Sequence, residues 1–248
     1  MIQIEKENEM RGPYGIEVVE DCKTCSMRKT GFFCQFSVAA LQAFNGSKFT
    51  STYPAQAVLF MEGQIPRGVY LLCKGRVKLT MNSADGRTLI VRICGPGELL
   101  GLHGALSGEP YESTAEALQP CQVNFVRRDD FLKLLREHGD ASAAAMQQMS
   151  NGYREVCQEV RYLGLSRSAS EKVAQFLLES SANAQETTQG KRFSLGLTHE
   201  EISQVVGISR ETVTRTMTEF RSKMLIATKG SVVVIRNESG LRAQAAAA

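Results

Sequence analysis

Apolar positions recur with two different periods along this 248-residue chain. From Phe49 to about Val126 the period is two. Val58, Phe60, Val69, Leu71, Val77, Leu79, Leu89, Val91 and Ile93 fall at alternating apolar positions, punctuated by Gly63, Gly68, Gly75, Gly86, Gly95 and Gly97. Half-buried strands carry that alternation, and Asp85-Gly86 is a strong hairpin turn, so this segment is predicted to be a small antiparallel roll. Elsewhere the step is three and four. Short helical patterns cover Val38 to Phe44 and Asp129 to Glu137, and Met146, Met149, Tyr153, Val156, Val160 and Leu163 then form an a/d stripe on one long helix. Two copies of the chain can pair along such a stripe; a single helix lying on its own roll shows the same pattern.

The segment Leu197 to Phe220, LTHEEISQVVGISRETVTRTMTEF, predicts two short helices joined by a glycine turn. Thr198 can cap the first, Glu201 completes a capping box, and Ile202, Val205 and Val206 supply its apolar stripe. Gly207 ends it. Ser209 can cap the second helix, where Val213, Met217 and Phe220 recur at i, i+4 and i+7. Arg210, Glu211, Thr214, Arg215 and Thr218 are left on other faces, with donors and acceptors suited to base edges and phosphates. A merely solvated polar face is the plainer reading of such a pair. Against it, Met224, Leu225 and Ile226 lead through Lys229-Gly230 to SVVVI, the pattern of a hairpin wing beside a DNA-reading helix.

Charge follows the same division: residues 165 to 248 hold 11 Lys+Arg against 8 Asp+Glu, whereas residues 1 to 164 hold 18 of each, so the net +3 lies in the C-terminal part. With 43% hydrophobic and 22% charged residues the chain can bury a proper core and is expected to form two domains. No apolar run is long enough to cross a bilayer, and MIQIEKENEM is too polar for a secretory signal. A cytoplasmic location without membrane attachment is therefore expected, and the 7 cysteines are read as buried fillers, reactive thiols or metal ligands rather than as disulfides. His103, His138 and His199 are scattered without ligand spacing or a partner nucleophile. No catalytic constellation is present, so the chain is not expected to be an enzyme.

A capping box at Ser168 to Glu171 opens a further helix, with Val173, Phe176 and Leu177 as its buried stripe. The resulting division is a cysteine-containing arm over 1–36, a roll over 37–140, a dimerisation helix over 141–165, a winged helix-turn-helix over 166–236 and a flexible tail over 237–248. The tail ends in Ala243 to Ala248, which has little to bury.

This order of elements resembles the CRP/FNR family of bacterial transcription regulators, and is closer to its FNR-like branch than to its cyclic-AMP branch. The residues that carry the resemblance are PGELLG at 96–101, SASEKVAQFLLE at 168–179, LTHEEISQVVGISRETVTR at 197–215, and the wing. It implies an α+β chain: a cyclic-nucleotide-binding-like β-roll (jelly roll), a long dimerisation helix and a C-terminal winged helix-turn-helix. It also implies a homodimer that reads a palindromic double-stranded DNA site through Arg210, Glu211 and Arg215, with RNA polymerase as a further partner. Thr198, Ser209, Thr212 and Thr214 complete the expected DNA-binding set. Thr214 stands where the FNR branch has serine and the cyclic-AMP branch glycine. A signal in the arm or roll would shift the dimer helices and with them the two recognition helices.

The resemblance bears on the signal too. Cyclic-nucleotide-binding members carry Gly-Glu-Leu and, after a loop, Arg-Ser, whose arginine neutralises the cyclic phosphate. Gly97, Glu98 and Leu99 match the first motif, but Glu112 or Ser113 stands at the arginine position, so the pocket is degenerate and cyclic AMP or cyclic GMP is disfavoured. The arm offers Cys22, Cys25 and Cys34 at C-x2-C-x8-C spacing, and three thiolates can hold an iron-sulfur cluster or zinc once a fourth ligand joins them. The FNR branch carries an arm cluster, with a shorter spacing after its CxxC. Cys121 is the candidate fourth ligand, although an ungapped alignment puts the branch's cysteine at Asn124, on the opposite strand face. Cys73, Cys94 and Cys157 are the other candidates, and plain core filling is the alternative for all four. A thiol or iron-sulfur electron-transfer protein with a partner-binding C-terminal module is the competing function.

Overall fold

The computed structural model describes residues 13–16, 18, 21, 22, 25, 31, 32, 36–165 and 168–246. The chain divides into two compact units, one holding residues up to Arg154 except 87–90, the other holding 87–90 and everything from Glu155.

After α1 (Val38–Ser47) the chain runs through β1 (Lys48–Tyr53), β2 (Val58–Phe60), β3 (Gly68–Lys74), β4 (Val77–Asn82), β5 (Thr88–Cys94) and β6 (Leu99–Leu100). Then follow α2 (Leu102–Ser107), β7 (Thr114–Ala117), β8 (Cys121–Arg127), α3 (Arg128–Glu137) and α4 (Gly139–Leu165). The strands form two sheets ordered β1-β8-β3-β6 and β2-β7-β4-β5, which is the predicted roll. Because side chains alternate across a strand, the first sheet builds two cores. Leu72, Cys121 and Val123 join Phe60, Val77 and Tyr111 in one of them. Val69, Leu71 and Val126 face the other, with Leu41, Phe44, Phe131 and Ala141 from α1, α3 and α4, and with Cys22, Phe32 and Phe36 from the arm.

Two pattern readings need correction here. On β5 the buried residues are Ile90 and Cys94, while Leu89 and Val91 are only half-buried. Both faces of that strand carry apolar residues, so a period of two fits either phase. On α4, Met149 packs partly against the core of its own roll, whereas Met146, Tyr153, Val156 and Val160 stand 66%, 74%, 58% and 65% exposed. The stripe therefore splits between the roll and solvent. The side chain of Leu163 lies outside the described set.

The second unit contains α5 (Ala169–Ser180), β9 (Gln185–Thr187), β10 (Gly190–Ser194), α6 (His199–Val206), α7 (Arg210–Ser222), β11 (Ile226–Lys229), β12 (Val232–Ile235) and α8 (Glu238–Ala246). The predicted wing hairpin pairs Ile226 with Ile235 and Lys229 with Val232, and it extends into a four-stranded sheet ordered β11-β12-β10-β9. The sequences QET and GKRFS lack apolar alternation, which is why β9 and β10 leave no pattern signal. Gly190 is required where β10 begins: its φ is +118°, and a Cβ there would lie 2.0 Å from the Ile235 carbonyl oxygen.

The flexible tail is also corrected. Glu238 to Ala246 form α8, and Leu241 is fully buried in the core of this unit with Val173, Leu177 and Leu225. One well-placed leucine holds an otherwise alanine-rich helix, since burying it contributes about 1.5–3 kcal/mol. No helix among the described residues is long and apolar enough to cross a membrane.

Candidate nucleic-acid interface

Helix α6 starts where its capping box predicts. The Thr198 hydroxyl accepts from the Glu201 amide at 3.1 Å, and the Glu201 carboxylate accepts from the Thr198 amide at 2.9 Å. Gly207 ends α6 at φ 64°, a left-handed conformation that costs a side-chain-bearing residue about 1–2 kcal/mol. The chain then turns into α7, where the Ser209 hydroxyl accepts from the Thr212 amide at 3.2 Å and lies 3.0 Å from the Thr212 hydroxyl. The hydroxyls of Thr198, Ser209 and Thr212 are thus engaged in fixing the two helix N-termini.

Val213, Thr216, Met217 and Phe220 anchor α7 in the core. On its opposite side Arg210, Glu211, Thr214, Arg215 and Thr218 line one continuous open surface. Glu211 sits in the first turn, where backbone amides and the Ser209 hydroxyl hold its carboxyl below the usual carboxylate range. It is a permanent acceptor. Thr214 is held differently: its Oγ1 is 3.0 Å from the Arg210 carbonyl oxygen and 2.8 Å from Nδ1 of His199. Sequence reasoning left His199 without a role, because α6 and α7 bring it to Thr214 only in three dimensions.

In the first unit Glu98 is bound to its own loop. It pairs with Arg92 and accepts from the Gly95 amide at 2.8 Å. Its neighbour Leu99 is clamped by Gln148 of α4, whose amide donates to the Leu99 carbonyl at 2.6 Å and accepts from the Leu99 amide at 3.3 Å. Neither Arg92 nor Gln148 stands out in the sequence. Glu112 lies 3.5 Å from exposed His103, and Ser113 is buried.

Cys22 is buried, with the amide of fully buried Asn124 donating to its sulfur at 3.5 Å. Asn124 in turn accepts from the Thr50 hydroxyl at 2.8 Å, and Thr50 accepts from Lys48 at 3.0 Å. Cys121, the expected fourth ligand, faces the other core, because an offset of three from Asn124 reverses the strand face. The thiol that shares the surroundings of Cys22 and Cys25 is Cys73 of β3. Burial first, then the proximity of Cys22 and Cys25, pushes its pKa up to about 12, with Lys48 acting in the opposite sense. Among the described residues no three His, Cys, Asp or Glu side chains form a metal-holding group, so the set with Cys121 does not fit a cluster. Cys34 lies outside the described residues.

Residues 50–138 match the family model of the cyclic nucleotide-binding domain, and residues 171–244 match that of the Crp-like helix-turn-helix domain. The chain belongs to the CRP/FNR family. Relatives of this CRP/FNR regulator include the nitrogen fixation regulation protein FixK of Azorhizobium caulinodans, 28% identical over 77% of this chain and 77% of that one. The cAMP-activated global transcriptional regulator CRP of Pasteurella multocida is 25% identical over 74% of this chain and 88% of its own. The solved structure of FixK2 from Bradyrhizobium japonicum shares the fold, with a TM-score of 0.71 and 24% identity over 81% of this chain and 98% of that one. These matches support the first of the two functional readings: the protein is a CRP/FNR-type transcription regulator with a helix-turn-helix DNA-binding domain.

Proposed function

We propose that the regulator binds a palindromic double-stranded DNA site as a homodimer, with α7 of each protomer in the major groove. Arg210, Glu211 and Arg215 are the base-reading residues in this proposal, and Thr198, Ser209 and Thr212 set the helix N-termini against phosphates. The observation that carries it is the outer face of α7. It takes no part in the core and presents cations beside a carboxylate held ionised. Cytosine offers an amino donor to such a carboxylate, and guanine offers paired acceptors to an arginine. Dimer formation through α4 is supported by the exposed stripe of Met146, Tyr153, Val156 and Val160. RNA polymerase contact, a cytoplasmic location and the absence of catalysis belong to the same proposal. Selection from a random duplex pool is expected to return a two-fold symmetric sequence; a pool without sequence enrichment would overturn the reading.

We further propose that the controlling signal is not a cyclic nucleotide. Glu98 is already paired with Arg92, and Glu112 and Ser113, at the expected arginine position, carry no positive charge for a cyclic phosphate. The arm is the better place for a signal, since its Cys22 packs in the same core as Cys73 of the first sheet. An iron-sulfur cluster or zinc there would need Cys34 or another donor in place of Cys121. Iron, sulfide and zinc analysis of anaerobically purified protein separates a metal site from plain thiol chemistry.

A further inference from the structure

On the α7 face the hydroxyl of Thr214, like that of Thr218, which donates to the Thr214 carbonyl at 2.9 Å, has its proton taken inside the protein. A threonine hydroxyl carries one proton and two lone pairs. The Thr214 oxygen lies 3.0 Å from the Arg210 carbonyl, which only accepts, and 2.8 Å from His199 Nδ1. If Nδ1 carries a proton, the imidazole donates and Thr214 gives its proton to Arg210. If Nδ1 is bare, Thr214 gives its proton to His199. Either tautomer consumes the single proton inside the protein, so the hydroxyl cannot donate to N7, O6 or O4 of a base. What the side chain has left for a groove is a lone pair that can only accept, and its methyl group.

We propose that His199 is a positioning residue that fixes the Thr214 hydroxyl against the helix, so that position 214 reads DNA through its methyl and selects the 5-methyl group of thymine. This rests on α7 being the base-reading helix. A threonine free to rotate could turn its hydroxyl toward an acceptor and accept several bases, whereas a held one cannot donate and presents its methyl in one fixed place. His199 sits at the first position of α6, so the capping box of Thr198 and Glu201 that starts α6 also sets where the imidazole stands.

The test uses the full-length protein and the duplex obtained by selection, with each thymine of both half-sites replaced in turn by deoxyuridine. Wild type is expected to lose about four-fold in affinity at one thymine step per half-site, the worth of one methyl withdrawn from water. Thr214→Ser keeps the hydroxyl and is expected to bind the thymine and uracil duplexes equally. Thr214→Val keeps the methyl, with a second methyl in place of the hydroxyl, and is expected to retain the four-fold difference. His199→Ala is expected to reduce the difference below two-fold, and His199→Asn, whose amide nitrogen overlays Nδ1, to restore it. Sequence-specific binding that is indifferent to uracil at every step, or a difference that survives in Thr214→Ser, overturns the inference while leaving the DNA-reading proposal intact. Failure of the wild type to enrich any sequence overturns the DNA-reading proposal itself.

Discussion

Glu211 carries a charge before any DNA arrives, because amides of the α7 first turn and the Ser209 hydroxyl stabilise its carboxylate. It can only accept, which restricts the bases it can favour. Glu211→Ala is expected to relax preference at one base pair per half-site by on the order of 1–3 kcal/mol, whereas loss of a phosphate-contacting cation weakens all sequences alike. Competition binding with single-base variants of the selected duplex checks this; unchanged selectivity would remove Glu211 from the reading set. Cys73 gives a second prediction at this scale. Its folded pKa is raised from 9.0 to about 12, so the fold favours the neutral thiol. The associated stability is fully present below about pH 9 and is lost as the pH climbs toward about 12. Urea midpoints are expected to be flat in the neutral range and to fall above about pH 9, with a shallower fall in Cys73→Ala.

At the scale of elements, the apolar stripe of α4 is divided between the roll and solvent. Met149 and Gln148 hold the roll, while Tyr153, Val156 and Val160 remain exposed and Met146 with them. If the exposed part is the dimer seam, Tyr153→Glu places an unpaired carboxylate in it at a cost above about 2 kcal/mol, which raises the dimer Kd roughly thirty-fold or more. Analytical ultracentrifugation reads that directly, with circular dichroism to confirm folding; a variant that stays dimeric at all concentrations would exclude this seam. Helix α8 has the opposite character, with little apolar surface and one anchor. Leu241→Ala is expected to cost about 2–4 kcal/mol in chemical unfolding of the C-terminal unit, the ordinary range for a buried leucine truncated to a cavity. Loss of less than about 0.5 kcal/mol would mean that α8 is frayed in solution.

For the whole molecule the open question is which signal governs binding, and the two units contribute different chemistry to it. The N-terminal unit carries a roll whose glutamate is satisfied by Arg92, together with a buried Cys22 whose sulfur accepts from Asn124. Titration calorimetry with cyclic AMP is expected to show no heat of micromolar binding, because Glu98 is already engaged by Arg92 and the Gly95 amide and neither Glu112 nor Ser113 can neutralise a cyclic phosphate. Micromolar binding would return the nucleotide to the mechanism and displace the thiols from it.

Most of the α+β architecture was legible along the chain: the roll, the long helix, the two capped helices around Gly207 and the wing. Local rules govern these features, since periodicity, caps and turn residues act within a few positions. Helical spacing also left Arg210, Glu211, Thr214, Arg215 and Thr218 unburied, and the family resemblance narrowed that face to Arg210, Glu211 and Arg215. What only the tertiary structure decided depends on contacts between distant segments. The face of β5 that turns inward, the docking of α8 by Leu241, the bond from His199 to Thr214 and the partnership of Cys22 with Asn124 and Cys73 are of this kind. The expected Cys121 failed for the same reason: alternation says that two positions face apart, but only packing says which of them meets the arm.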